Sequence, residues 1–200
     1  MLHRLFFRMD ELADLHGLYK VETIGDAWFG VTNCVSPQPH DHAKRIAEFA
    51  IGSMQAANDT LIDLDNPALG YVQIRIGLNS GPVLTNVIGT RNPHYTLFGD
   101  AVNTAARMES NSLPGRIQCS EVTAALLNQQ APHVMVKCRG TIPIKGKGEM
   151  TTYWVGDVDK SKNDGETSRP RQNQMNSQSV QRKNVVSPKT PMLPPTEVEC

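Results

Sequence analysis

Tyr19-Lys20-Val21-Glu22-Thr23-Ile24-Gly25-Asp26-Ala27-Trp28-Phe29-Gly30-Val31-Thr32 reads as two strands folded back on each other. β-Branched and aromatic residues flank Gly25-Asp26, a two-residue turn of the kind that closes a tight hairpin. Antiparallel neighbours can be joined this way, whereas parallel strands need a long crossover. The hairpin therefore excludes a purely parallel sheet, although helix and strand alternate elsewhere. The predicted class is α+β.

On the N-terminal side, Leu5, Phe6, Met9, Leu12, Ala13 and Leu15 recur at helical spacing until Gly17 stops the helix. On the C-terminal side a long helix is expected from about His42 to Ile62. Its stripe is Ala43, Ile46, Ala47, Ala50, Met54, Ala57 and Leu61. Val72 to Leu78 alternates as a strand, and Pro82 to Ile88 reads as another. A loop, a helix over about Asp100–Ser110 and a short strand near Ile117 follow. Ser120 then caps a helix with Glu121 in its first turn. The last strand pair is placed at about Val134–Ile144 and Thr151–Val155. Together these elements predict helices covering one face of a largely antiparallel sheet.

The 200 residues carry 20 Lys+Arg against 20 Asp+Glu, so the formal net charge is zero. That balance argues against a chain that coats nucleic acid or an anionic membrane surface. No run approaches the ~18 apolar residues of a membrane span, and charges interrupt the first 20 residues too often for a signal peptide. Cys34, Cys119, Cys138 and Cys200 share no short spacing. They suggest neither a zinc site nor a disulfide framework, and point to a reducing, cytoplasmic compartment. From residue 157 to Cys200 the chain holds no aromatic residue and ends in SPKTPMLPPTEVEC. This composition predicts a disordered tail behind a domain spanning residues 1–156. Ser187-Pro188 and Thr190-Pro191 read as solvated tail or as phosphorylation sites.

Several segments bear polar groups in suggestive places. Asp26 fits ordinary turn chemistry, or one ligand to a Mg²⁺ that uses a carboxylate and substrate phosphates. Asn103 and Arg107 are four apart and share a helix face. They form a solvated face, or an amide and a guanidinium aimed at a ribose and a phosphate. Ile144-Lys145-Gly146-Lys147-Gly148 is a hairpin turn with solvent lysines, or a close approach to a triphosphate. It lacks the Walker A spacing. Gly77-Leu78-Asn79-Ser80-Gly81-Pro82-Val83 suggests a bend under tight sheet packing. Tyr95-Thr96-Leu97-Phe98 has no clear meaning by itself, and the six histidines form no H-E-x-x-H pattern.

Taken in order, these segments resemble the class III nucleotide cyclases, the guanylate cyclase branch most closely. Lys20–Trp28 is similar to that family's K-V-E-T-I-G-D-A-Y/W, and Ile74–Val83 to its I-R-I-G-x-x-S-G-P-V. Tyr95–Glu109 resembles Y-x-L-F-G-D-x-V-N-x-A-x-R-M-E, and Arg139–Trp154 resembles R-G-x-x-x-x-K-G-K-G-x-M-x-T-Y-W. The resemblance runs from near residue 1 to about 156. It implies a ferredoxin-like-derived fold and conversion of a nucleoside triphosphate to its 3′,5′-cyclic monophosphate and pyrophosphate. It implies two divalent ions, Mg²⁺ or Mn²⁺. It also implies Asp26 as a metal ligand, Asn103 orienting the ribose, Arg107 stabilising transition-state charge, and Lys145 or Lys147 binding the terminal phosphates. Glu22 and Thr96 match the base-reading positions. Glu22 favours GTP, because its carboxylate accepts from guanine N1–H and N2–H₂, whereas Thr96 both donates and accepts and decides little. The implied partners are GTP and a second cyclase domain in a head-to-tail homo- or heterodimer. The implied setting is cytoplasmic, a membrane-anchored parent included.

Four departures stand out. Thr96 stands where the family's guanylate cyclases usually have Cys and its adenylate cyclases Asp. Asn79 sits where His is frequent in the family, and Thr85-Asn86 replaces a small Ala-Gly pair. No F-x-D-I-x-x-F segment, the family's first metal aspartate and its central strand, precedes Lys20. The expectation is a fragment of a longer cyclase that lacks the first strand and is inactive alone. A non-catalytic partner that lends Asn103, Arg107 and the lysines to another subunit is the competing reading, with an adenylate cyclase as the alternative on base choice. A GGDEF-type diguanylate cyclase ranks far below, because the hairpin lacks that run.

Overall fold

The computed structural model describes residues 1–156, apart from 89–90 and 92–93, together with Thr196 and Glu197. The expected tail, with Ser187 and Thr190, lies outside the described residues except for that last pair.

Helix α1 (Leu2–His16) turns Leu5, Met9 and Ala13 inward and ends at Gly17, which adopts φ 69°. Only a residue without Cβ takes that left-handed cap cheaply. Strands β1 (Tyr19–Ile24) and β2 (Ala27–Val31) form the hairpin expected around Gly25-Asp26. Helix α2 (His42–Asn58) is shorter than its apolar stripe predicts. Asn58, Asp59 and Thr60 favour local side-chain bonds over helix. Thr60 Oγ1 donates to the Ala56 carbonyl, 2.7 Å, and Val72 N–H then bonds Thr60 O, 2.9 Å, as the chain doubles back.

The alternating run at Val72–Leu78 is buried as expected, but only Ile76–Leu78 (β3) is ladder-paired. Its partner begins only at Ile117, so the earlier residues bond to loops instead, as Ile74 O does to Gly115 N–H. Strand β4 (Leu84–Ile88) pairs with β5 (His94–Phe98), a strand the sequence was expected to leave as loop. Helix α3 (Asp100–Ser110), β6 (Ile117–Ser120), α4 (Glu121–Gln130), β7 (Val136–Ile144) and β8 (Gly148–Val155) complete the domain. Strand β9 (Thr196–Glu197) pairs in parallel with β3, whose outer edge offers unpaired backbone groups.

The α+β class holds, but one largely antiparallel sheet covered on one face was expected. Instead there are three ladders: β1-β2, β4-β5, and β7-β8-β6-β3-β9, the last with β3 and β6 parallel. Helices lie on both of its faces. Ile76, Leu78, Ile117 and Cys119 join α1, α2 and α4 in one core, where Trp28 stacks on Phe49 at 4.7 Å between ring centroids. The alternate residues face α3. A Cβ on Gly77 would stand 2.1 Å from the Glu109 backbone nitrogen, so only glycine lets α3 lie against β3. Beside it, Gln118 is fully buried and donates to the Met108 sulfur. A smaller cluster of Phe29, Val31 and Leu97 joins the two hairpins.

Candidate functional site

The candidate residues fall on three elements: the β1–β2 hairpin, the β5–α3 segment and the β7–β8 turn. Each element is fixed by a contact that its motif does not announce.

Asp10 of α1 anchors the first hairpin. Its carboxylate accepts from Lys20 Nζ at 2.7 and 2.8 Å and from the indole N–H of Trp28 at 2.8 Å. A bulge between Lys20 and Glu22 then changes the parity of the strand. Lys20 stands opposite Gly30, but Glu22, not Val21, stands opposite Phe29. Cross-strand partners share a face. The extra residue thus puts Glu22 on the face where Phe29 meets Leu97, which is the way bulges re-aim side chains. Asp26 lies half-buried in the turn. Glu22 is exposed, and neither carboxylate makes a side-chain hydrogen bond or ion pair among the described residues.

Thr96 is half-buried on β5, opposite Asn86. Its neighbour Tyr95 sets an edge-to-face contact with Tyr19 of β1, centroids 5.4 Å apart, and places its hydroxyl 3.5 Å from the Cys34 sulfur. This joint brings the strands of Glu22 and Thr96 side by side without a shared ladder. Tyr95–Phe98 is thereby the strand that packs the second hairpin against the first.

Asn103 is exposed and Arg107 half-buried on α3, one turn apart, and neither side chain has a protein partner among the described residues. The start of α3 is held by a buried polar network. Asn79 donates to the Ala101 carbonyl, 3.1 Å, and accepts from Ser120 Oγ, 2.7 Å, while Thr123 Oγ1 bonds Ser80 Oγ, 3.1 Å. The Gly77–Val83 bend is therefore packing and network, as its local pattern suggested. Its Asn79, the departure from the family's His, is a buried tie.

In the β7–β8 turn the two lysines differ. Lys145 is exposed and without a partner among the described residues, whereas Lys147 pairs with Asp100, the first residue of α3. Between them Gly146 takes φ 80°. A groove of about 500 Å³ lies beside this contact, lined by Ser80, Asp100, Thr104, Ser120, Lys147 and Glu149. Farther along the strands, Arg139 stacks on Trp154 at 4.6 Å and donates to Gln118 Oε1, and its burial pushes the guanidinium down from its usual range.

Asp26 suits one ligand of a Mg²⁺ otherwise coordinated by water and phosphate oxygens. Among the described residues no group of three His, Cys, Asp or Glu converges on a metal-sized position. Of the candidate site residues, Asp26 is the one carboxylate of the hairpin turn, and it could supply one ligand to such an ion. Also among the described residues, no helix is long and apolar enough to cross a membrane.

The fold defines a class first: a mixed α+β domain with a carboxylate hairpin, an Asn/Arg helix and a lysine turn. Residues 1–157 match the family model for the adenylate and guanylate cyclase catalytic domain. The guanylate cyclase soluble subunit beta-2 of Rattus norvegicus is 42% identical over 156 residues, 78% of this chain and 22% of the relative. The guanylate cyclase domain of RhGC from Catenaria anguillulae, solved in complex with GTP, is 41% identical with TM-score 0.68, covering 77% of this chain and 80% of that one. A non-canonical dimeric guanylyl cyclase domain of RhoGC from Blastocladiella emersonii is 38% identical with TM-score 0.65, covering 77% and 80%. The chain belongs to the adenylate and guanylate cyclase catalytic domain family. It spans about a fifth of the length of the rat relative.

Proposed function

We propose that this domain contributes to a guanylate cyclase active site, which converts GTP to 3′,5′-cyclic GMP and pyrophosphate. The observation that carries this is the free pair on α3. Asn103 and Arg107 lie one turn apart with no protein partner among the described residues, on the helix whose first residue is tied to the lysine turn. In the reaction the ribose 3′-oxygen releases its proton to solvent water and bonds to the α-phosphorus. The bond to the β-phosphate bridging oxygen breaks, and pyrophosphate leaves. Asn103 holds the ribose, Arg107 meets the charge that develops on the phosphoryl oxygens, and Lys145 receives the terminal phosphates. Glu22 accepts from guanine N1–H and N2–H₂, beside Thr96. Facing adenine, the same carboxylate would oppose an acceptor, a mismatch of roughly 1–3 kcal/mol. Mg²⁺ or Mn²⁺, when bound at Asp26 with its second ligand supplied from elsewhere, would activate the 3′-hydroxyl and neutralise the phosphates.

The site is shared between two domains, homo- or heterodimeric, joined head to tail. The relative solved with GTP supports the nucleotide, and the dimeric relative, whose dimer is non-canonical, supports pairing in general and not the head-to-tail form. The setting is cytoplasmic, in a parent that includes the membrane-anchored kind. A second reading, in which this chain lends Asn103, Arg107 and the lysines to another subunit's metal site, rests on the same pair on α3, partnerless among the described residues.

The test mixes the full chain with a second cyclase domain that keeps both metal aspartates, and follows magnesium-dependent cyclic GMP formation. The chain alone should show no turnover, and the mixture should. Arg107→Ala should cost roughly a hundredfold to a thousandfold in kcat. Undiminished turnover would reject the role given to α3. Glu22→Lys should move preference from GTP toward ATP, and an unchanged ratio would reject the base pocket.

A further inference from the structure

We propose that the Asp100–Lys147 ion pair is a clip. It sets Lys145 in position relative to Asn103 and Arg107, so that Lys147 is a positioning residue and not a nucleotide ligand. This rests on the proposed function for the meaning of Lys145, but the clip itself is a property of the fold.

The two lysines are separated only by Gly146, and in sequence they are interchangeable. In the fold they are not. Lys147 has one fifth of its side chain exposed and its ammonium on an Asp100 carboxylate oxygen. Lys145 is exposed and partnerless among the described residues. The β7–β8 ladder ends at Ile144 opposite Gly148, so the turn projects beyond the sheet. Within the turn, Lys147 N–H bonds the Ile144 carbonyl at 3.0 Å. Among the described residues no other side-chain hydrogen bond or ion pair joins residues 145–147 to α3. Asp100 opens α3, three residues before Asn103 and seven before Arg107. Its negative charge also suits the positive end of that helix, although the Asp100 side chain is 81% exposed, so the ion pair is its one side-chain tie among the described residues.

Glu121 and Glu149 line the same groove as Asp100 and Lys147. Phosphate oxygens entering there would meet two further carboxylates, whereas Lys145 is exposed and has no acidic partner among the described residues. To bind phosphate, Lys147 would first have to break its pair with Asp100. Lys145 breaks nothing. The pair also neutralises Lys147, which leaves the turn with one net positive charge to offer.

Two measurements on the full chain test this. The first is amide hydrogen exchange over residues 145–148 without nucleotide. Asp100→Asn and Lys147→Ala should each speed exchange there severalfold, the double variant no more than either single one. Exchanging the charges, Asp100→Lys with Lys147→Asp, should restore protection. Unchanged exchange in the single variants overturns the clip. The second is the KM for GTP in the mixed complex. Lys147→Ala should raise it about two- to fivefold, as expected for a partly exposed pair, and should add nothing once Asp100→Asn is present. A lowered KM in Asp100→Asn, or a full effect of Lys147→Ala in that background, would make Lys147 a phosphate ligand and overturn the proposal. Lost protection without any turnover in the mixture would instead sink the cyclase reading, and the role of Lys145 with it, leaving the clip as a tie in the fold.

Discussion

Replacing Asp10 with alanine removes two kinds of bond at once, and the structure separates them. Trp28 is fully buried, and its indole N–H donates to Asp10 Oδ1 at 2.8 Å. Without that carboxylate a buried donor is left unpaired, which costs about 1–3 kcal/mol. The pair with Lys20 is different, because Asp10 and Lys20 have 46% and 35% of their side chains exposed. Solvent screening holds its worth to about 1 kcal/mol or less. The expected loss for Asp10→Ala is therefore about 2–3 kcal/mol, most of it from the indole. Asp10→Asn keeps an acceptor for Trp28 and should lose only about 1 kcal/mol. Trp28→Phe removes the donor while retaining a ring against Phe49. In that background Asp10→Ala should cost under about 1 kcal/mol. Urea denaturation followed by circular dichroism measures the parent and all four variants. An equal cost in both backgrounds would refute the reasoning and put the stabilisation in the Lys20 pair. The outcome bears on function, since this hairpin carries both Glu22 and Asp26.

Gly77→Ala drives a Cβ to within 2.6 Å of the Ala105 carbonyl as well as onto the Glu109 backbone. Neither is a flexible side-chain tip, so a loss of about 3 kcal/mol or more is expected in chemical denaturation, and a near-neutral result would contradict the placement of α3. Phe49→Ala opens the core beneath Trp28 and should cost about 3–5 kcal/mol by the same assay. For His16, burial lowers the imidazole pKa, opposed by Glu48 and reinforced by Arg45 and Lys44. The unfolded chain then takes up the proton first, so this histidine removes stability as pH falls from about 6.5 toward its folded value. His16→Asn should flatten that part of the stability–pH curve, and a slope identical to the parent would reject it.

Local signals are what the sequence made legible. Gly25-Asp26 between β-branched runs, Gly17 after an apolar stripe and Ser120 before Glu121 each act over a few residues, and the hairpin and both helix boundaries stand where they indicate. The order of motifs likewise placed the chain in its family, because motif order survives in one dimension. Partnership across distance did not show. The long stripe after His42 continued past Asn58 because periodicity cannot weigh the turn bonds of Thr60. His94–Phe98 looked like loop because its strand character comes from pairing with Leu84–Ile88.

The sequence by itself determined which residue types the domain offers: carboxylates in a hairpin, an amide and a guanidinium one turn apart, two lysines among glycines. The tertiary structure decided which of them are spoken for. Asp10 reads as one more acidic residue of a helix, yet it fixes Lys20 and Trp28. Lys145 and Lys147 read alike until Asp100 takes one of them. A bulge of one residue at Val21, invisible in the pattern, settles which face Glu22 occupies. The physical reason is common to all three. Hydrogen bonds and ion pairs act over about 3 Å, and only the folded chain brings residues far apart in sequence within that distance.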